Sequence, residues 1–425
     1  MTQVEHERIP VATSTRPSLS GGFSVFRNVG FRWAWFSTLA SFSGMQMQNV
    51  ALGILGWELT HSYAAVGILQ AAFAVPMALF AIPGGALVDR MDKRRVIAIS
   101  QTTMGTIAVL TALLVQVDLI TVPLLFMGGL VQGAMFSLNG PARTTMVTEV
   151  VTIEEIPAAV SLQTIAMNCT RVAAPAVAGI LVALVSVAGS YYTAGAMYVC
   201  SVIAILQVTR TVPREKRPSS ALMGEMIGGV RYVFSSRVLL SLLLSALTVA
   251  LFVMPYQVML PGFADDLGHA GLFGAMIAVS GVGGLLGSLG AASISNHPRK
   301  PYIQFFLGIG AGLSLIALGV LSGPLGAAGA FLSLALVGGT ATSYMTLNQA
   351  MLLTEADPAY RGRVMSLSML TFSAMPLMAL PLGVLADLVG GRVSFVTQGA
   401  IATTAILVLA LANRRHTFGR RDRQA

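Results

Sequence analysis

The chain contains 425 residues, of which 55% are hydrophobic and only 10% charged, and it carries a formal net charge of +9. This composition, with a mean hydropathy of +0.76, is typical of integral membrane proteins and excludes an ordinary soluble domain. The cations lie in short loops beside apolar runs, so the expected partners are anionic membrane lipids and not nucleic acid. Cys169 and Cys200 lie inside apolar runs without metal-ligand spacing, and we expect both side chains to be buried.

The chain begins with a polar segment that lacks the pattern of a cleavable signal peptide, and residues 1–31 are predicted to form a cytoplasmic arm. A hydrocarbon core about 30 Å thick requires about 20 apolar residues per helix. On that criterion twelve transmembrane helices are predicted, at 32–58, 64–88, 96–117, 121–142, 159–187, 190–208, 238–260, 270–293, 302–321, 324–350, 364–387 and 392–412. The predicted fold is therefore all-α and membrane-embedded.

The predicted spans divide six and six around the longest polar interval. Residues 32–208 are predicted to form an N-terminal bundle and residues 238–412 a C-terminal bundle. A cytoplasmic linker at 209–237 joins them, and a basic cytoplasmic tail follows at 413–425. Within the linker, the apolar residues of Ala221–Phe234 recur near helical spacing, which fits an interfacial helix and a plain linker about equally well.

Lysine and arginine concentrate on one face of this arrangement, in the even-numbered loops and both termini. On the opposite face the only such residue is Arg392, against Asp118, Asp265 and Asp266. Because positively charged loops stay in the cytoplasm, both termini are predicted to be cytoplasmic. The opposite face, which carries the loop between spans 1 and 2, is termed the outer end below.

The two halves of the chain resemble each other. Thr148-Glu149 recurs as Thr354-Glu355, and Pro175 recurs as Pro381, each 206 residues later. One constant offset is expected of two six-helix halves that share an orientation. We therefore predict two pseudo-equivalent bundles.

The connection between spans 2 and 3 is unusually charged. Its sequence, Gly85-Ala-Leu-Val-Asp89-Arg90-Met-Asp92-Lys93-Arg94-Arg95, resembles the loop 2–3 signature of the major facilitator superfamily, with Asp92 where glycine is usual. Pro141-Ala-Arg143, Arg171–Gly179 and Arg361-Gly-Arg363-Val are similar to segments of its bacterial drug and siderophore exporters, of the transmembrane secretion effector type. The resemblance covers nearly the whole chain, and it implies a monomeric secondary transporter in the cytoplasmic membrane of a prokaryote.

The chain departs from the family pattern in two places. The span-4 signature R-x-x-Q-G aligns with Gly129-Leu-Val-Gln132-Gly133, so the arginine that proton-coupled exporters of this type are thought to use is missing. The span-5 signature G-P-x-x-x-G survives as Ala174-Pro175-Ala-Val-Ala-Gly179, in which Pro175 and Gly179 form the expected packing motif of helix 5.

The resemblance also implies that the loop 2–3 motif is a conformational latch. Gly85 would let spans 2 and 11 approach closely, and Asp89 would face the amino end of span 11. The cations of the motif would pair across the loop: Arg90, Lys93, Arg94 and Arg95. A carboxylate at a helix N-terminus contributes roughly 0.3–1 kcal/mol, so Asp89 would favour the outward-facing state while the two ends meet. Alternatively, the motif only keeps the loop on the cytoplasmic side.

Arg171 is the only lysine or arginine predicted to lie deep inside a span. A central arginine costs about 2.5–3.5 kcal/mol on insertion scales, so its side chain is expected to face the bundle interior. Three interpretations remain open: hydrogen bonding to Asn168 or to backbone carbonyls, binding of an anionic substrate group, and proton coupling in place of the missing span-4 arginine.

Spans 1, 4, 7 and 10 enclose the central cavity in this superfamily. Polar side chains on these spans are the candidates for contact with a small-molecule substrate: Gln46, Asn49, Gln132, Asn139, Tyr256, Gln257, Tyr344, Asn348 and Gln349. Each one alone also fits helix–helix bonding, because such bonds in membranes average well under about 2 kcal/mol.

The expected function is export of an amphipathic drug, siderophore or secondary metabolite by alternating access, with protons as the coupling ion. Asp89 is the remaining carboxylate for coupling, because Glu58 and Asp387 lie near the outer ends of their spans and fit simple solvation. Import or facilitated passage of an anionic solute held by Arg171 is the first alternative, and a membrane enzyme or receptor is a remote one. No nucleotide-binding, metal-binding or catalytic motif occurs in the sequence, so no cofactor, metal or enzymatic activity is expected.

Overall fold

A computed structural model of the chain describes residues 23–152, 155–209, 228, 230–268, 272–294, 297–357, 360–373 and 375–412. After a short 3-10 turn at Phe23–Arg27, six helices make up the first half. They are α1 (Val29–Thr60), α2 (Tyr63–Arg90), α3 (Lys93–Gln116), α4 (Val122–Val150), α5 (Ile156–Leu184) and α6 (Val187–Leu206).

In the second half the seventh helix is interrupted, and the eleventh is described in two segments on either side of residue 374. Its elements are α7a (Arg237–Thr248), α7b (Tyr256–Asp266), α8 (Phe273–Ile294), α9 (Lys300–Leu321), α10 (Gly326–Glu355), α11a (Arg361–Ser373), α11b (Met375–Val389) and α12 (Gly391–Ala412). A π-helical turn at Val249–Val253 follows α7a, and the Met254 N–H bonds to the Val249 carbonyl at 3.0 Å. Pro255, which has no N–H to donate, follows and explains why the regular helix stops there.

Side-chain caps explain where several helices begin. Asn28 accepts a hydrogen bond from the Phe31 N–H at 3.2 Å at the start of α1. Asp92 accepts one from the Arg94 N–H at 3.0 Å at the start of α3. Since aspartate is a favoured N-cap residue, the departure from the family glycine at this position is compatible with a helix that starts directly after it.

Ten helical segments of the described chain are long and apolar enough to cross a membrane, with α7a, the π turn and α7b counted as one. Each coincides with a predicted span. The first predicted span coincides with α1, which is too polar to meet the same criterion. The eleventh coincides with α11a and α11b, and the apolar segment described there, Met378–Val389, is shorter than the 18 residues that the criterion requires. The all-helical membrane fold is confirmed, while ten of the twelve predicted spans meet the criterion of length and composition.

The two halves pack in the same way. In the first half α2 packs on α4, α3 on α6, and α1 on α6. In the second half α8 packs on α10, α9 on α12, and both parts of α7 on α12. This equivalence is what the 206-residue repeat predicts.

Two details differ from the sequence-based expectations. α4 continues to Val150, past the predicted end of its span at residue 142, so Arg143 lies inside the helix. Cys169 is exposed on the surface of α5 and Cys200 is only partly buried, because both lie on helix faces that no other helix fully covers.

Residues 228 and 230–235 are helical, and the rest of the predicted interfacial helix, most of the predicted arm and the basic tail lie outside the described residues.

Candidate functional site

The two bundles meet at the outer end of the molecule. α2 packs along α11b, α5 along α8, and α7b contacts α1 and α2. Between α2 and α11b the backbones almost touch: a Cβ added to Gly67 would lie 2.7 Å from the Ala379 carbonyl oxygen and 2.8 Å from Leu380 Cα. Because no side chain fits there, a glycine is required for the bundles to approach this closely.

Asp387 on α11b binds the first turn of α2. Its carboxylate accepts hydrogen bonds from the backbone N–H groups of Tyr63 at 2.7 Å and Ala64 at 3.0 Å, and from the Ser62 hydroxyl at 2.7 Å. The first N–H groups of a helix have no partner within the helix, and a carboxylate there contributes roughly 0.3–1 kcal/mol, up to about 2 kcal/mol when partly buried. Asp387 is exposed, so it remains solvated as expected, but its carboxylate also binds the start of a helix from the other half.

Two further aspartates, at the end of α7b, bind the first half at the same place. Asp266 accepts a hydrogen bond from the Tyr63 hydroxyl at 2.6 Å, and Asp265 accepts one from the Trp57 indole nitrogen at 3.1 Å. His61 Nδ1 lies 3.9 Å from the same Asp265 oxygen. The Trp57 and Tyr63 rings are buried, with centroids 4.7 Å apart. The outer end is thus closed by side chains of one bundle bonded to the other.

The crossing of α5 and α8 is the third contact between the bundles. Gly179 faces Gly274 there, and a Cβ added to Gly274 would lie 2.8 Å from three backbone atoms of Gly179. Pro175, one turn earlier on α5, is buried. The structure therefore places the predicted packing motif of helix 5 at a contact between the two bundles.

Exposure along α5 distinguishes two of its faces. One exposed stripe runs the length of the helix: Ile165, Cys169, Ala173, Val177, Ile180 and Leu184. A second stripe lies on the opposite side: Val160, Thr164, Met167 and Arg171. It ends where Ala174 and Ala178 are buried in the cluster that includes Phe273 of α8. The first stripe fits contact with lipid, whereas the second lies on the helix face that further along the chain contacts α8.

Arg171 is the last residue of the second stripe, and it is exposed one turn before the residues of α5 that pack against α8. The expectation that a deep arginine avoids lipid stays a prediction. The side chain of its proposed partner Asn168 lies outside the described residues.

Arg143 on α4 is a buried cation, which the sequence-based prediction missed. Its Nη1 donates to the hydroxyls of Thr38 at 2.8 Å and Ser37 at 3.3 Å, and its Nε donates to Asn139 Oδ1 at 3.3 Å. The residue is only 5% exposed, and Nη2 has no hydrogen-bond partner in the described part of the chain. The arginine after Pro141 was visible in the sequence, but the predicted end of span 4 at 142 placed it outside the helix.

The polar candidates on α1, α4, α7 and α10 form two groups. Four are buried and bond within their own bundle: Asn139, Tyr256, Tyr344 and Asn348. Tyr344, for example, donates to Ser245 Oγ at 2.7 Å, and the Asn348 amide donates to the Leu242 carbonyl at 3.0 Å. The other five keep partly or fully exposed side chains: Gln46, Asn49, Gln132, Gln257 and Gln349. Of these five, Gln257 donates to the Tyr256 hydroxyl at 3.3 Å, so the other four are the candidates that can contact a substrate without breaking a described side-chain bond.

Part of the loop 2–3 motif lies on α2, whose helix continues through Gly85, Asp89 and Arg90. The side chains of these residues lie outside the described part of the structure, so the Asp89 latch stays a prediction.

The other cations of the motif have contacts within the first half. Lys93 is buried, with Nζ 4.0 Å from an oxygen of Glu149 at the end of α4. Arg94 donates to a backbone carbonyl at the end of α6, and Arg95 Nε lies 3.9 Å from Asp92. These contacts tie the start of α3 to its own bundle.

The packing around Gly129 is consistent with the absence of the span-4 arginine. A Cβ added to Gly129, where the family has that arginine, would lie 3.1 Å from the Ala72 Cβ on α2. α2 and α4 therefore pack too closely at this level for an arginine side chain to pass between them. Among the described residues, no group of three or more histidine, cysteine or acidic side chains is arranged to hold a metal ion.

Comparison with known proteins gives consistent matches over nearly the whole chain. The model of the transmembrane secretion effector family matches residues 20–422. The enterobactin exporter EntS of Escherichia coli (strain K12) is 25% identical over 401 residues, which cover 91% of this chain and 92% of EntS. The multidrug efflux pump Tap of Mycolicibacterium fortuitum is 26% identical over 376 residues, which cover 85% of this chain and 90% of Tap.

Solved transporter structures share the fold. A bacterial homologue of the human lysosomal transporter Spinster, in an inward-facing and unoccupied conformation, has a TM-score of 0.72 at 16% identity, with 92% of this chain and 97% of that chain covered. A bacterial homologue of the iron transporter ferroportin, in an inward-facing state, has a TM-score of 0.68 at 15% identity, with 92% and 98% covered. At these identities the likeness concerns the fold alone.

Proposed function

The chain belongs to the transmembrane secretion effector family of the major facilitator superfamily, and on that premise we propose that it exports an amphipathic small molecule by alternating access. The main support is that the described contacts between the bundles lie at the outer end. Aspartate bonds and glycine contacts close the outer end, whereas the second stripe of α5 remains exposed below the α5–α8 crossing. This arrangement supports an inward-open state, if the outer end is extracellular as the charge distribution predicts.

The chemistry of the exposed positions supports an amphipathic substrate. Val160 and Met167 provide apolar and flexible surface, and Arg171 provides a cation at the upper end of the same stripe. Gln132 on α4 and Gln349 on α10, whose side chains are partly or fully exposed, add hydrogen-bonding groups without charge. The relatives, an enterobactin exporter and a multidrug efflux pump, support the siderophore and drug classes.

Proton coupling is part of the proposal and is supported chiefly by the family. The spans contain few carboxylates, and the span-4 arginine of the family is replaced by Gly129. We propose a monomer in the cytoplasmic membrane with both termini cytoplasmic.

The test is transport in proteoliposomes of the purified full chain. Counterflow is measured with amphipathic cations, neutral compounds and siderophore-like anions, and each is repeated after a pH jump. Accumulation driven by an imposed pH gradient supports proton-coupled export. Counterflow that ignores the gradient removes proton coupling, and absence of counterflow for every class removes the proposed substrate range.

A second candidate is import or facilitated passage of an anionic solute. It is favoured by Arg171, an exposed cation without a described carboxylate partner, on the face of α5 that further along the chain contacts α8. In this case counterflow would occur for anions only, and an imposed pH gradient would not make the proteoliposomes accumulate the anion.

A further inference from the structure

The outer contact of α2 with α11b joins the start of one helix to the end of the other. The Tyr63 N–H, at the start of α2, donates to Asp387, which lies two residues before the end of α11b. The two helices therefore run antiparallel where they touch. At the inner end of the same pair, the last residues of α2 lie on the side from which α11a starts.

In this antiparallel pair, each helix has an aspartate in its last turn. Asp387 occupies the last turn of α11b and faces the N-terminus of α2. Asp89 occupies the last turn of α2, and the loop 2–3 motif predicts that it faces the N-terminus of span 11 when the inner end closes. Asp89 thus lies at the carboxyl end of α2, near the level at which span 11 begins. Asp387 lies at the carboxyl end of α11b, where α2 begins.

We propose that Asp387 is an outer latch that favours the inward-open state, the reciprocal of the inner latch predicted for Asp89. The inference rests on the proposed alternating-access function. Asp387 is a positioning residue, which acts through the closure of the outer end and does not contact the substrate.

The cap at the start of α2 is shared between the two bundles, and this carries the proposal beyond ordinary helix capping. Ser62 Oγ accepts the Ala65 N–H at 3.2 Å within the first half. The N–H groups of Tyr63 and Ala64 are bonded instead to Asp387 of the second half. When the bundles separate at this end, Ser62 still accepts the Ala65 N–H, while the Ser62 hydroxyl, two N–H groups and the Asp387 carboxylate exchange their bonds to each other for bonds to water. The helix survives the opening, and the free energy of these bonds is added only to the closed state.

The charges that face Asp387 from neighbouring elements do not offer it another partner. Asp265 and Asp266 of α7b are engaged by Trp57 and Tyr63, and they are anionic themselves. The described residues contain no ion pair of Asp387 with lysine or arginine. The backbone N–H groups of α2 and the Ser62 hydroxyl are therefore its stabilising partners.

The test measures the separation of the bundles directly. In a variant without Cys169 and Cys200, spin labels are placed at Thr121, an N-cap that makes no side-chain bond, and at the exposed Leu325, one in each bundle at the outer end. Pulsed electron–electron distance measurements in proteoliposomes then give the populations of short and long distances. Asp387→Asn is expected to raise the ratio of long to short distances about 2-fold to 5-fold, because it removes the charge and one acceptor oxygen at an exposed helix N-terminus.

Matched variants separate the latch from other effects. Asp118→Asn removes a carboxylate that is exposed on the same face and makes no described side-chain bond, so it should leave the distribution unchanged. Asp387→Glu keeps the charge and should restore part of the short-distance population. A general folding defect would lower the yield of monodisperse protein for Asp387→Asn and Asp387→Glu alike. It would not make the short-distance population larger in Asp387→Glu than in Asp387→Asn.

An Asp387→Asn distribution equal to that of Asp118→Asn overturns the outer latch. If the wild type shows counterflow while that equality holds, the latch fails and the transport function stands. If Asp387→Asn shifts the distances while no substrate shows counterflow, the latch stands and the proposed export fails.

Discussion

The contact between Gly179 and Gly274 predicts a large response to a single methyl group. Gly179→Ala places a Cβ against the Gly274 backbone, and the reciprocal Cβ on Gly274 would lie 2.8 Å from Gly179 backbone atoms. Ordinary van der Waals contact begins near 3.4 Å. Because the opposing atoms are backbone, no side chain can rotate away, and α5 must move from α8 by roughly half an ångström to one ångström.

The cost falls only on the state in which the outer end is closed. Overpacking of this kind costs about 1–3 kcal/mol, which corresponds to a shift of about 5-fold to 150-fold in the ratio of outer-open to outer-closed molecules. Alanine also favours the helix over glycine by about 1 kcal/mol, but α5 is helical in both states, so this gain cancels.

The assay is the labelling rate of a buried cysteine by a membrane-impermeant maleimide. Leu382 on α11b is 3% exposed and belongs to the cluster of buried side chains that spans the outer contact. With Cys169 and Cys200 replaced by serine, Leu382→Cys reacts only when the outer end opens. Gly179→Ala should accelerate this labelling at least about 5-fold.

The matched control is Gly140→Ala on α4, where an added Cβ would meet nothing within 4 Å. It carries the same change of residue type without the contact between bundles. Labelling rates of Leu382→Cys that agree within a factor of about two in the Gly179→Ala and Gly140→Ala backgrounds would show that the Gly179 contact does not hold the outer end closed.

Three further outcomes are expected. Asp89→Asn should reduce the transport rate and leave the substrate Kd nearly unchanged, as measured by counterflow and by equilibrium binding; equal turnover would remove the inner latch. Arg171→Gln should abolish discrimination between anionic and neutral substrates while Arg171→Lys retains it, and loss of folded protein in both variants would instead indicate a packing role. Arg143→Lys should lower the free energy of unfolding by about 1–2 kcal/mol, because one ammonium group cannot reach Asn139 and Thr38 together; a melting temperature equal to the wild type would contradict this.

The fold was largely predictable because a bilayer restricts the chain to long apolar helices. Every predicted span coincides with a helix, and the helix packing repeats between the halves as the 206-residue offset predicts. The failures occur where tertiary contacts replace lipid. The inner part of α4 carries Arg143 as a buried residue bonded to α1, so hydropathy alone ended the span too early.

The site was less predictable because it depends on which helix faces meet. Asn139, Tyr344 and Asn348 were chosen for being polar on the correct helices, but the structure uses them for bonds within a bundle. Hydropathy does not distinguish a face toward lipid from a face toward the space between bundles. For Arg171 that distinction depends on the packing of α5 against α8, which begins one turn later at Ala174.

The same charge asymmetry that predicts the orientation also determines how each end can close. The positive-inside distribution leaves Arg392 as the only lysine or arginine on the outer face, and its guanidinium lies near Gly323 in the α9–α10 connection. The aspartates at the outer contact therefore have no abundant cation to pair with. They bond instead to N–H groups at the start of α2, to the Tyr63 hydroxyl and to the Trp57 indole. Such donors are fixed by the backbone and by buried rings, so the outer end closes in one register, whereas the inner end, rich in flexible cations, is free to use ion pairs.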